Sequence, residues 1–145
     1  MNIDFEYVSK ILDVFINSDK AHLSIVDLNN AGINSGESII DQTFIFHMQI
    51  LLDNNLISDQ NGESNGLATI GVGLNGNNTY RKLTTNIRLT QNGHDFAKAL
   101  NNKEVLLKIK SELKDAPFKA IFDGSQKLLT HFLKKKLEAV IKEGE

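Results

Sequence analysis

Four sets of residues in this chain are of types that could do chemistry, and their spacing decides whether they do. Gly71-Val-Gly73-Leu-Asn-Gly76 is formally G-x-G-x-x-G and follows a plausible strand, a spacing that lets backbone approach a pyrophosphate. A dinucleotide site also needs a helix directly afterwards with its N-terminus facing the phosphates, and Asn77-Asn78-Thr79-Tyr80 leads into a second strand instead. The glycines therefore read as a hairpin turn. His22, His47, His94 and His131 are the imidazoles available as ligands or bases, but they are scattered and lack the i,i+4 spacing of helical metal ligands. His47 reads as a core-facing histidine and His94 as a first-turn helix residue that positions the adjoining hairpin. Ser24, Ser35, Ser38 and Thr90 fit caps and turns, and none lies in a nucleophile elbow. Asp41 and Asp53 have no partnered acid or base. With no nucleophile, base and stabiliser assembled, the sequence predicts no catalytic residue, no metal and no cofactor, and hence a protein that is not an enzyme.

The elements that carry these residues follow from apolar spacing. Val8, Ile11, Leu12, Phe15 and Ile16 form one helical stripe, predicting a helix over about 5–17 with Asp4 as its N-cap. Ser24-Ile-Val-Asp27 starts a short second helix with a capping box, and Gly32 is placed to stop it. After Ile33-Asn-Ser-Gly36, a longer helix puts Ile40, Phe44, His47, Met48 and Leu51 on one face and ends at Asp53-Asn54-Asn55. Leu56-Ile57 is a short apolar pair, and the polar run from Asp59 to Gly66 is predicted as a loop. Leu67–Leu74 and Tyr80–Leu89 read as two strands around Asn75-Gly76-Asn77-Asn78, a hairpin in the position of a wing. Thr90 caps a fourth helix that buries Phe96, Ala97 and Leu100.

The expected fold is mainly α with a small β-wing (α+β), a winged helix-turn-helix over residues 1–102. A helical C-terminal extension over 103–145 follows. In it, Val105, Leu106, Ile109 and Leu113 form a stripe that Pro117 interrupts, Phe118–Phe122 is a short segment, and Gly124 separates it from a final amphipathic helix. Leu129, Phe132, Leu133 and Leu137 of that helix are candidate dimerisation residues, and Val140 and Ile141 lie on the same side. The helix either packs on its own domain or pairs with a second copy.

At 145 residues the chain has enough length for one domain with a core of its own, and without cysteine it has no disulfide framework or thiolate chemistry. The N-terminus has no basic and apolar leader pattern, and no stretch has the ~18 apolar residues of a membrane span, so no membrane and a cytoplasmic location are expected. Charge is the more informative quantity. The net −2 divides into −8 over residues 1–80 and +6 over 81–145, and no lysine or arginine occurs between Lys20 and Arg81.

Arg88-Leu89-Thr90-Gln91-Asn92-Gly93-His94-Asp95-Phe96, together with Leu51-Leu52-Asp53-Asn54-Asn55-Leu56-Ile57, resembles an uncharacterised bacterial and phage family of small winged-helix proteins, a domain-of-unknown-function family. The likeness covers about Phe44 to Ile121, and its motifs are moderately specific. Asn55 departs from it, because the family pattern has glycine there in an alanine-glycine-leucine-isoleucine ending. The resemblance implies a winged-helix fold and a phage or mobile-element setting in regulation, defence or counter-defence, and it implies no activity.

Two binding functions are then expected, in different classes. As a protein-interaction or regulatory module, the chain would present an acidic face of Glu37, Asp41, Gln42, Ile45, Gln49 and Asp53, with Ile45 or Phe46 near the surface, to a protein with a basic surface. As a DNA-binding transcriptional regulator, the alternative, it would use Gln42 toward a base and Arg81, Lys82, Arg88 and Lys98 toward the backbone. Duplex affinity comes largely from cations on phosphates, and the predicted recognition helix has none. Protein recognition is therefore placed ahead of DNA recognition.

Overall fold

The computed structural model describes residues 1–144. Its chain is mainly helical with a small β region in two sheets. Helix α1 (Phe5–Asn17) begins where the Asp4 side chain accepts from the Tyr7 amide, and it buries Phe5, Val8, Ile11, Leu12 and Phe15, which lie on one stripe. Helix α2 (Ile25–Asn30) carries the expected capping box, with Ser24 and Asp27 each accepting the other's backbone amide. Helix α3 (Gln42–Asp53) starts two residues later than the apolar pattern predicts. Asp41 is its N-cap, accepting from the Phe44 amide at 2.8 Å, so Ile40 belongs to the preceding loop.

The end of α3 explains the departure at Asn55. Asn55 has φ 54°, in the left-handed region, and the Leu56 amide donates to Leu51 O while the Asn55 amide donates to Leu52 O. These two bonds close a Schellman motif, for which asparagine is the common substitute for glycine. The chain then enters β1 (Ile57–Asp59), where the sequence shows only a short apolar pair.

The two predicted strands are corrected. Leu67–Ile70 forms a 3₁₀ turn, and only Val72–Leu74 is strand, β2. The segment 80–89 divides into β3 (Tyr80–Lys82) and β4 (Ile87–Leu89), which lie in different sheets. Strands β2 and β3 pair as the expected hairpin, with Asn77 and Asn78 both at φ 62° in its tip. Strand β4 pairs antiparallel with β1, and Leu23 bridges Ile87 from the segment before α2. The split follows from burial. Leu83 still donates its amide to Gly71 O beside β2, the chain then crosses the exposed Thr84 and Asn86, and Ile87 and Leu89 enter the core beside β1.

Helix α4 (Gln91–Asn101) begins with Thr90 Oγ1 accepting from the Gly93 amide. A β-carbon at Gly93 would meet Leu56 O at 2.0 Å, so this first turn lies directly on the backbone that enters β1. The threonine and glycine of the family-like signature therefore have structural work that is independent of any ligand.

By contact density the chain divides into two compact units, Met1–Ala97 and the residues from Lys98 onward, with the division inside α4. In the second unit, α5 (Lys103–Lys108) is capped by Asn102 and runs into a π-helical turn at Ile109–Leu113. Helix α6 (Phe118–Glu143) is continuous through Gly124, which the sequence reads as a break. A β-carbon at Gly124 would come within 3.1 Å of Leu113 Cδ1, so glycine serves close packing there. Among the described residues, no helix is long and apolar enough to cross a membrane.

Candidate functional site

Helix α3 has two faces of different character. Phe44, His47, Met48, Leu51 and Leu52 are buried, while Gln42, Ile45, Phe46, Gln49, Ile50 and Asp53 follow one another at helical spacing along the outward side. Gln42, Gln49 and Asp53 are exposed, and Ile45, Phe46 and Ile50 are half-buried. Toward its C-terminal end this outward side borders a cleft of about 320 Å³, lined by Phe46, Gln49, Ile50, Leu52 and Asp53 on the helix and by Gly66 and Leu67 at the start of the 3₁₀ turn. The cleft joins apolar walls to one carboxylate and has no cationic lining residue.

The buried side of α3 is locked by His47. Its Nε2 accepts from the Asp4 amide at 2.9 Å and its Nδ1 donates to Thr43 O at 2.7 Å, so both ring nitrogens are used in the neutral Nδ1-protonated form. Tyr7 and Phe46 meet the imidazole edge-on at centroid distances of 4.7 and 5.1 Å. His47 therefore faces the core, as its helical phase predicts, and its contact with Phe46 steadies the aromatic wall of the cleft. Burial and the carboxylates of Asp41 and Asp4 push the Tyr7 phenol up to about 12.

The predicted protein-binding residues do not all belong to this face. Gln42, Ile45, Gln49 and Asp53 are on it. Asp41 precedes it, and its carboxylate is engaged as the helix cap. Glu37, with Ser38, is exposed in the loop before α3 and lies on no helix. Sequence reasoning misses Ile50, Leu52, Gly66 and Leu67. Ile50 has a visible signal, one helical turn after Phe46, whereas Leu67 enters through a loop whose path no local pattern encodes.

The residues of the nucleic-acid alternative are placed as follows. Arg81 and Lys82 are exposed on β3, with Lys82 Nζ 5.8 Å from the Tyr80 ring centroid. Arg88 is half-buried on β4, in the other sheet, so the three cations do not share one strand. Lys98 is exposed on α4. The tip of the β2–β3 hairpin is tied to the loop before α3, where the Ile40 amide donates to Asn78 O at 3.0 Å and Ile39 bridges Thr79.

Of the predicted dimerisation residues on α6, Leu129 and Phe132 are half-buried, while Leu133 and Leu137 are exposed along with Val140 and Ile141. The G-x-G-x-x-G segment runs through β2 into a 3₁₀ turn at Gly76–Asn78 and then β3, so no helix follows it. Among the described residues no three His, Asp or Glu side chains group as metal ligands. Comparison with known proteins finds no match to any family model, curated protein or solved structure.

Proposed function

We propose that this chain is a non-enzymatic winged helix-turn-helix module that binds a protein with a basic surface through the outward face of α3. The fold reading is supported by three helices followed by a sheet in which Leu23, β4 and β1 are neighbours, with the β2–β3 hairpin inserted between β1 and β4 as an elaborated wing. The observation that carries the functional reading is the cation-free cleft at Phe46, Gln49, Ile50 and Asp53. An apolar side chain of the partner fills such a cleft, and a neighbouring arginine or lysine meets Asp53. Aromatic and aliphatic walls with a charge at the rim are the usual composition of an interaction hot spot.

DNA recognition is the second reading, favoured by one observation. The hairpin that bears Arg81 and Lys82 is hydrogen-bonded at its tip to the loop that leads into α3, so those cations are carried by the element that adjoins the entry to that helix. Anisotropy of the purified protein distinguishes the two readings, using a labelled arginine- and leucine-rich peptide, the chain's own upstream duplex and a scrambled duplex. Each is titrated at ~50 and ~200 mM salt, over which phosphate-driven binding falls steeply. The expected result is peptide binding that Gln49→Lys with Asp53→Lys abolishes, and no duplex binding at either salt. Tight, salt-sensitive binding of the upstream duplex, lost on changing Arg81, Lys82 and Arg88 to alanine, overturns the proposal in favour of a regulator.

A further inference from the structure

A second concavity belongs entirely to the second unit. The segment 101–104, where α4 gives way to α5, and Phe132, Lys135 and Lys136 of α6 line a pocket of about 480 Å³. Its volume is within the range of small-ligand sites. The face of α6 that buries Ile121 and Ser125 reaches Phe132 about two turns beyond Ser125. Lys135 and Lys136 follow that ring at i+3 and i+4, so the three side chains share one face of the helix. Phe132 is half-buried and forms the fixed wall, while Lys103, Lys135 and Lys136 are exposed.

The charge of this pocket is one-sided. Lys103, Lys135 and Lys136 bring three ammonium groups against one carboxylate, Glu104, and none of the four forms an ion pair among the described residues. The backbone is not the source of the positive field. Asn102 Oδ1 accepts from the amides of Glu104 and Val105 at 3.0 and 3.1 Å, so the start of α5 is closed and the side chains are the donors left. A concave surface lined mainly by one sign of charge, over an apolar wall, focuses the field and draws counter-ions. Lysine supplies that charge here, and no arginine lines the pocket. Ammonium groups act as point charges that spread around a tetrahedral, multiply charged phosphate, whereas a planar carboxylate is matched by the guanidinium fork.

We infer that the α5–α6 pocket is a binding site for a mononucleotide, with its phosphate among Lys103, Lys135 and Lys136, its base against the Phe132 ring and a ribose hydroxyl donating to Glu104. Each part of the lining then has a counterpart. The phosphate neutralises ammonium groups that otherwise repel one another, and the base covers the aromatic wall. The carboxylate disfavours a ligand that is anionic throughout and takes a neutral donor instead. Inorganic phosphate fits only the cationic part of this lining, and a nucleoside only the remainder. The site stands independently of what α3 binds.

The test is a ¹H–¹⁵N titration of the full chain with AMP, with adenosine and inorganic phosphate as its two halves. The amides of Lys103, Glu104, Phe132, Lys135 and Lys136 are expected to shift saturably with AMP and to respond weakly or not at all to adenosine. Phosphate should move the same amides with an affinity about tenfold lower or less. Lys135→Gln with Lys136→Gln, at exposed positions, should weaken AMP binding about tenfold or more while leaving the rest of the spectrum in place. Phe132→Leu should weaken AMP binding and leave the affinity for phosphate unchanged, a split that a general loss of structure does not produce. A single-stranded oligonucleotide and phosphatidylglycerol vesicles present phosphate in other settings, and both are expected to bind more weakly than AMP at equal phosphate concentration. Equal affinity for phosphate and AMP, which marks an anion site only, overturns the assignment, as does an equal response to adenosine. So do an unchanged AMP affinity in either variant, tighter binding of the oligonucleotide or the vesicles, and the absence of shifts with AMP.

Discussion

At single residues, the sequence carries instructions that become clear only with the backbone geometry. Asn55 looks like a lapse from a glycine pattern, yet at φ 54° it performs the glycine's task and also accepts from Ser64 Oγ at 2.7 Å. A β-carbon in left-handed backbone costs ~1–2 kcal/mol, and asparagine is the residue that best tolerates it. Asn55→Ala is therefore expected to destabilise the fold by about 1 kcal/mol in urea unfolding, while Asn55→Gly should stay within about 0.5 kcal/mol of the parent. Equal losses in the two variants would mean that the Ser64 contact, and not φ, is what matters. Local signals of this kind were largely legible in the sequence. Asp4, Ser24 with Asp27, and Thr90 cap the helices their spacing predicts, because a cap is decided within four residues. Asp41 shows the limit: the sequence places it on the acidic helix face, and the bond from the Phe44 amide makes it the helix cap instead.

At the scale of elements, legibility falls because pairing partners are remote. Strand β1 has three residues and no distinctive alternation, and it exists because Ile57–Asp59 meets Ile87–Leu89 thirty residues later. The same partnership pulls β4 out of what reads as one long strand. Gly124 misleads for a related reason, since a helix-breaking residue is tolerated where Leu113 packs closely against it. The least predictable connection joins the hairpin to the loop before α3. Tyr80 OH donates to Gly36 O and accepts from Ser35 Oγ at 2.8 Å, while Asn29 of α2 donates to the same serine at 2.9 Å. One buried phenol thus links β3, the loop and α2. Tyr80→Phe leaves the ring in place and removes the link, which should cost about 1–3 kcal/mol because Gly36 O and Ser35 Oγ lose a buried partner. Hydrogen exchange at Ile40 and Asp41, whose amides bond Asn78 O and Ser35 O, should accelerate more than at α1. Uniform acceleration across the chain would instead show that the tyrosine supports only global stability. If the α3 face is the binding surface, this variant also weakens binding without touching the cleft, because it loosens the loop that presents the helix.

At the scale of the whole molecule, the charge asymmetry survives in the fold: Met1–Ala97 carries a net −6, and the residues from Lys98 onward carry +4. In the acidic first unit the carboxylates of Asp41 and Asp4 act on the half-buried Tyr7 phenol, and this gives global stability a dependence on alkaline pH. Tyr7 is packed edge-on against His47, so its ring fixes the start of α1 against α3. Burial first, then Asp41 and Asp4, raise its pKa from 10.0 to about 12, because all three disfavour the phenolate. The folded state thus holds the proton more tightly than the unfolded chain does. Stability from this group is complete below pH 10 and is lost as pH rises through the window from 10 to about 12. Urea midpoints for the parent chain should accordingly decline across that window. Tyr7→Phe keeps the ring contact with His47 and has nothing to ionise, so its decline should be smaller by the Tyr7 contribution. The difference between the two profiles isolates the group from lysines that titrate in the same range. Parallel profiles would mean that the phenolate is as well accommodated in the fold as in water, and that the carboxylates at the start of α1 and α3 do not act on Tyr7.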